Sequence, residues 1–195
     1  MGYLTQVFNT MLESLRKYHD ELERLSTTDA LTGLSNRRHL MNLLTHEIER
    51  AKRARQPFSI LMLDVDHFKK YNANHGHQAG DEVLARVSTV LRDSIRPYDC
   101  AARYGGEEFL VMLSATTFDR ARESAERIRK QVRAEQFGGG LVTISIGVAE
   151  YPSQGDTAKS VIGQADAALY EAKRAGRDRV MCAGAKGNRE KAEAS

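Results

Sequence analysis

Two short apolar segments, residues 101–104 and 109–113, flank Gly105-Gly106, and paired glycines between strand-length segments signal a tight hairpin. This hairpin interrupts a chain that otherwise alternates helix and strand. Helical apolar spacing covers residues 37–54, 79–95, 118–135 and 157–175, and strand-length segments cover 58–63, 141–149 and 179–182. Asn36 is placed to start the first helix. A hairpin among alternating units argues against a doubly wound parallel sheet. It predicts an α+β sandwich, one mixed sheet with flanking helices.

A long N-terminal helix is expected ahead of that domain. Leu4, Phe8, Met11, Leu15, Tyr18, Leu22 and Leu25 are spaced alternately four and three, with Glu13, Arg16, Lys17, Asp20, Glu21, Glu23 and Arg24 between them. That seam predicts a two-helix coiled coil of about three heptads, which would make the protein a homodimer; the alternative is an amphipathic helix packed on its own domain. Ser26-Thr27-Thr28-Asp29 ends it with capping residues. We therefore divide the chain into a dimerisation and signalling helix (1–28), a globular domain (29–183) and a small, charged, disordered tail (184–195). A chain that opens directly inside a helical pattern reads as a piece of a longer protein, with an upstream sensor or regulator acting on the helix.

Charge and cysteine usage exclude several function classes. Lys and Arg number 29 against 26 Asp and Glu, a net +3, too small an excess for a nucleic-acid groove. Cys100 and Cys182 stand far apart, outside any CxxC pattern, and read as free thiols. No apolar run approaches the roughly 20 residues of a membrane span, and the start lacks a signal-peptide profile, so a cytoplasmic piece without membrane contact is expected. GxxxxGK[ST], GxGxxG and zinc-type Cys/His spacings are all absent.

The chemistry concentrates in two places. Asp64 and Asp66 close an apolar strand, where carboxylates can meet a hard cation; a DxD pair alone is weak, since turn or capping carboxylates give the same pattern. Gly105-Gly106-Glu107-Glu108 sets two carboxylates after two residues without side chains, where a backbone can approach a bulky ligand. Adjacent glutamates repel, a cost that a divalent ion or phosphate-bound Mg²⁺ would offset. With the hairpin beside the Asp64 strand, three or four oxygens are expected to converge on one or two ions.

Taken together, these residues resemble the GGDEF family of diguanylate cyclases over about three quarters of the chain. Asp29-Ala30-Leu31-Thr32-Gly33-Leu34-Ser35-Asn36-Arg37-Arg38 is similar to the family's opening signature, and Asp64-Val65-Asp66-His67-Phe68-Lys69 to its metal strand and phosphate loop. Asn72, His77, Gly80 and Asp81 fall at its nucleotide-contact spacings. Arg103-Tyr104-Gly105-Gly106-Glu107-Glu108-Phe109 is similar to the GGEEF form of its hairpin, and Tyr170 to Asp178 to its closing motif. Ala73 departs from the usual aspartate and leaves the local loop geometry open.

The resemblance implies a fold related to the palm of nucleotide cyclases and polymerases, and an enzyme that condenses two GTP into cyclic di-GMP. It implies two Mg²⁺ (or Mn²⁺) per site, held by Asp64, Glu107 and the Val65 carbonyl. Glu107, or Glu108 beside it, would help take the proton from the ribose 3′-OH. Lys69, Lys173 and Arg177 would neutralise phosphate charge, with His67, Phe68, Gly105 and Gly106 lining the substrate. Asn72 and Asp81 would choose guanine, and His77 either contacts the nucleotide or steadies the loop. Arg96 and Asp99 resemble an inhibitory RxxD product site, with Arg127 similar to a supporting arginine from a second subunit or domain. Three other functions stay open: a cyclic di-GMP sensor without chemistry, a cyclase with another product, and a coiled-coil scaffold.

Overall fold

The computed structural model of the protein describes Gln6, Met11 and residues 27–184. The heptad seam and the charged tail therefore fall outside the described residues, apart from Gln6 and Met11, which are helical, and the flanking Thr27, Thr28 and Gly184. From there the elements run β1 (Ser35–Asn36), α1 (Arg37–Ala54), β2 (Phe58–Val65), α2 (Phe68–His75), α3 (His77–Ser94), β3 (Cys100–Arg103), β4 (Glu108–Leu113), α4 (Phe118–Ala134), β5 (Ile144–Tyr151), α5 (Ala158–Arg174) and β6 (Val180–Cys182).

The six strands form one mixed sheet in the order β1-β3-β4-β2-β5-β6. β2 is central and antiparallel to both β4 and β5, while β1 pairs β3, and β6 pairs β5, in parallel. The expected hairpin is β3–β4, with Arg103 opposite Phe109.

Strand alternation sorts the core into two layers. Leu61, Leu63 and Val65 of β2, with Phe109 and Val111 of β4, face α3 and α4 through Val83, Leu84, Ala125 and Ile128. Phe58, Ile60 and Met62, with Leu110 and Met112, face α1 and α5 through Leu40, Leu44, Ala165 and Leu169. Helices thus cover both faces, so β2 is buried along its whole length.

Three expectations shift. Helix α2 was absent from the sequence reading, because Phe-Lys-Lys-Tyr-Asn-Ala-Asn-His buries only Phe68 and carries no apolar stripe. The helix expected over 79–95 starts earlier, at His77, after a Gly76 at φ 83°. The strand expected over 141–149 instead runs Ile144–Tyr151, and Leu141 is left exposed. Both cysteines are free, Cys100 buried and Cys182 exposed.

Candidate active site at the carboxyl end of the central strand

Strand parity places the key carboxylates. Asp64 has the same parity as Phe58, Ile60 and Met62, so it faces the α1/α5 layer. Register pairs it directly with Glu108 on β4 and with Ser145 on β5. Like charges directly opposite on one face are unfavourable. The compensating cation comes from α5: Lys173 Nζ lies 2.7 Å from Asp64 Oδ2.

A glycine permits that delivery. A Cβ on Gly147 would meet the Ala165 carbonyl at 2.0 Å and the Leu169 amide nitrogen at 2.3 Å, so α5 lies directly on the β5 backbone there. Lys173 follows Leu169 by four residues, on the same helix face, and reaches the end of β2. Burial pushes the Asp64 carboxyl up, the Lys173 ammonium pulls it back, and the Glu107 and Glu108 charges raise it again, leaving its pKa at about 6.

The hairpin tip is held against β2. The Val65 amide donates to the Glu107 carbonyl at 3.2 Å, and the Tyr104 and Gly105 amides donate to the Glu108 carbonyl at 2.8 and 3.2 Å. Glu108 folds over the turn, where a Cβ on Gly105 would sit 2.3 Å from its Oε2. Gly106 meets nothing within 4 Å, so the turn is open on that side.

No group of three His, Cys, Asp or Glu side chains is gathered among the described residues. The hairpin lies beside β2, as expected, and Lys173 pairs with one oxygen of Asp64. The remaining donor set (Asp64, the Glu107 carboxylate and the Val65 carbonyl) still fits Mg²⁺. That ion usually binds through one or two carboxylates, with waters and substrate phosphates completing the shell.

Asp66 serves differently from its neighbour. It is buried; its Oδ1 accepts from Ser145 Oγ at 2.7 Å, and its Oδ2 from Thr143 Oγ1 at 2.7 Å and from the Asp178 amide at 3.0 Å. His67 follows with φ 57° and caps α2. The Phe68 side chain is buried in the core, so a ligand could meet only its main chain. Lys69 is exposed in the first turn of α2, near the end of β2.

Asn72 packs against Gly80, the residue before Asp81. Asn72 Oδ1 is buried without a hydrogen-bond partner, and it lies where a Cβ on Gly80 would be 1.8 Å away. Asp81 is the next residue, exposed, and His77 is exposed at the start of α3. Ala73 is exposed within α2, so its departure leaves the helix unbroken. Arg177 follows α5 at φ 62°.

The RxxD segment forms a self-capped turn. Asp99 Oδ2 accepts from the Arg96 amide at 3.0 Å, and Oδ1 from the Ser114 amide at 3.0 Å. The Arg96 side chain is exposed. Arg127 Nη2 donates to the Ser94 carbonyl at 3.1 Å, two residues before Arg96 in sequence.

Sequence reasoning missed the braces. Arg103 joins the hairpin to Asp29, and Arg129 and Arg133 of α4 hold Asp178. Nothing local marks such pairs, whose partners are 45 or more positions apart.

Comparison with known proteins agrees with this geometry. Residues 26–179 match the family model described as "Diguanylate cyclase, GGDEF domain". The chain is 43% identical over 169 residues to Diguanylate cyclase A of Treponema denticola, covering 83% of this chain and 46% of that protein. It is 41% identical over 173 residues to the response regulator PleD of Caulobacter vibrioides, covering 86% and 38%. The chain thus spans less than half the length of these relatives. Among solved structures, the coiled coil and GGDEF domain of DgcB from Caulobacter crescentus, in complex with c-di-GMP, is similar at TM-score 0.82 and 33% identity, covering 94% of this chain and all of that one. The active GGEEF domain of a Vibrio cholerae diguanylate cyclase is similar at TM-score 0.74 and 34% identity, covering 77% and 98%. Matched by that family model over residues 26–179 and by relatives at 41–43% identity, the chain belongs to the diguanylate cyclase GGDEF domain family.

Proposed function

We propose that this protein is a diguanylate cyclase that condenses two GTP molecules into cyclic di-GMP and releases two pyrophosphates. The observation that carries it is the pairing of Asp64 with Glu108 across β2 and β4, with Lys173 2.7 Å from Asp64. Two carboxylates and a lysine cation at one strand end suit a phosphoryl-transfer site, where positioning and charge do most of the work.

Two Mg²⁺ or Mn²⁺ ions per site are part of this reading, with Asp64, Glu107 and the Val65 carbonyl as protein ligands. When bound, divalent metal supplies charge for the triphosphate and lowers the pKa of an attacking hydroxyl. Glu107 or Glu108 accepts the proton of the ribose 3′-OH. That oxygen forms a bond to the α-phosphorus of the other GTP as the bond to pyrophosphate breaks. Lys69, Lys173 and Arg177 hold the phosphates, and Gly105 and Gly106 let the hairpin backbone approach them. Main-chain groups of His67 and Phe68 border the same loop. The orphaned Asn72 oxygen beside Asp81 suits guanine, whose N1–H and 2-amino group are donors that adenine lacks as a pair. His77 borders that subsite.

Each domain holds one GTP, so two copies must face each other. The N-terminal helix would supply that homodimer and transmit upstream signals in the cytoplasm. Product inhibition through Arg96, Asp99 and Arg127 follows the same reading; the DgcB relatives were solved with c-di-GMP, and SiaD of Pseudomonas aeruginosa with its activator SiaC.

The test is incubation with GTP and Mg²⁺, with the nucleotides resolved by chromatography, beside Glu107→Ala. Cyclic di-GMP from the wild type alone supports the enzyme and its metal site together. No product from protein stripped of nucleotide, with tight cyclic di-GMP binding lost in Arg96→Ala, would make it a sensor instead.

A further inference from the structure

Arg177 combines a tightly held backbone with an idle side chain. It and Asp178 are consecutive non-glycine residues at positive φ, 62° and 44°, directly after Gly176 at 114°. Such conformations persist only where the surroundings over-determine them. Here every main-chain group is engaged. The Arg177 amide donates to the Ala172 carbonyl at 3.0 Å, and its carbonyl accepts from Arg179 Nε at 2.9 Å. The Asp178 amide donates to buried Asp66 Oδ2 at 3.0 Å, and its carbonyl accepts from Arg129 Nη1 at 3.3 Å. The Arg177 guanidinium has no hydrogen-bond partner among the described residues.

The Asp178 side chain locks this loop to α4. Its Oδ1 accepts from Arg129 Nη1 at 2.7 Å, and its Oδ2 is paired with Arg133. Arg129 is itself largely buried and is held by Glu126 at 2.9 Å. Asp66 ties the same loop to the end of β2, two residues from Asp64, and to β5 through Ser145. The loop is therefore anchored to the central strands and to α4, while the half-buried Arg177 side chain keeps a guanidinium without a hydrogen-bond partner among the described residues.

We propose that Asp178, gripped by Arg129 and Arg133 and tied at its amide to Asp66, is a positioning residue that holds Arg177 for the triphosphate of GTP. This rests on the reading of Arg177 as a phosphate-binding cation. Charge-assisted pairs fix geometry where a neutral bond would let the loop relax. A misplacement on the order of 1 Å is enough to cost a charged contact much of its effect. Alanine at 178 would lose both the anchor and the tolerance of positive φ that aspartate and asparagine share.

The experiment is a double-mutant cycle on the full chain, reading GTP affinity by calorimetry with Ca²⁺ as the metal and, separately, kcat and KM with Mg²⁺. Arg177→Ala and Asp178→Ala are each expected to weaken GTP binding about tenfold, and the double variant no further, because both remove the same contact. Asp178→Asn keeps an acceptor and gives up the charge; a loss of about threefold is expected, again absent on the Arg177→Ala background. This variant also serves if Asp178→Ala melts at the assay temperature. Losses that multiply in the double variant would overturn the proposal, since a purely structural role adds to any other defect. Wild-type affinity in Asp178→Ala and Asp178→Asn, with Arg177→Ala weakened, would sink the positioning role and leave the phosphate reading standing. Wild-type affinity in Arg177→Ala would remove both.

Discussion

Arg103 joins the hairpin tip to the first turn of the domain: its Nη1 lies 3.3 Å from both carboxylate oxygens of Asp29, while Nε and Nη2 donate to the Gly106 carbonyl at 3.1 and 2.8 Å. Asp29 is fixed in turn by the Thr32 amide and hydroxyl at 2.9 and 2.7 Å. The Gly105-Gly106 turn is thus aimed by a contact to the residue where the N-terminal segment enters the domain.

Arg103→Ala should therefore damage function more than stability. The ion pair is partly exposed, so its loss should cost only about 1 kcal/mol. Freeing the Gly106 carbonyl should lower cyclic di-GMP formation on the order of tenfold, because hairpin placement sets the reacting geometry. Thermal melting beside initial rates checks this. A large melting shift with full specific activity would contradict it.

The same contact predicts a pH signature. Burial works to raise the Asp29 carboxyl, but the Thr32 bonds and the Arg103 guanidinium outweigh it and hold its pKa below 3.8. A carboxylate depressed in the folded state contributes stability above its unfolded value and loses it as pH falls through the folded value. Wild type should thus be more stable than Asp29→Asn at neutral pH, with the gap closing below pH 3.8. Denaturant melts between pH 7 and 3 would show it, and a constant gap would refute it.

Asp64 behaves oppositely. Its carboxyl sits at about 6 without metal, above the ordinary 3.8, so its ionised form destabilises the metal-free fold above about pH 6. That penalty is relieved as pH falls from about 6 to 3.8. Metal needs the ionised form, so Mn²⁺ affinity should fall as pH drops through about 6. Lys173→Met removes the pairing charge and should move the midpoint upward. Manganese titrations from pH 5 to 8 read both; pH-independent affinity would rule Asp64 out as a ligand.

Gly147→Val probes how the lysine is delivered. Its Cβ would collide with the Ala165 carbonyl, so α5 must shift, at about 1–3 kcal/mol for an overpacked core. The melting temperature should fall, and the surviving protein should lose activity as Lys173 withdraws. An unchanged melt would mean that α5 is not seated on β5 as described.

Much of the architecture was legible in the chain. Asn36 caps α1 by accepting from the His39 amide at 2.9 Å, where the sequence placed it. The glycine pair turned the hairpin, and the apolar run before Asp64 became β2. Helix α2 was illegible because its first residue does the only burying, and β1 because two residues carry no period.

The site divides along the same line. Residue order and periodicity alone determined that Asp64 ends a buried strand, that two glutamates follow two glycines, and that a lysine and an arginine close the last long helix. These are local properties, set by neighbours within a turn or a strand. Only the tertiary structure decided that Asp64 stands opposite Glu108, that Asp66 serves the Arg177 loop, and that Arg103 finds Asp29. Those pairings depend on strand order and register, which arise when β4 and β5 choose opposite sides of β2. That choice is made by burial of both sheet faces at once, and no single segment contains it.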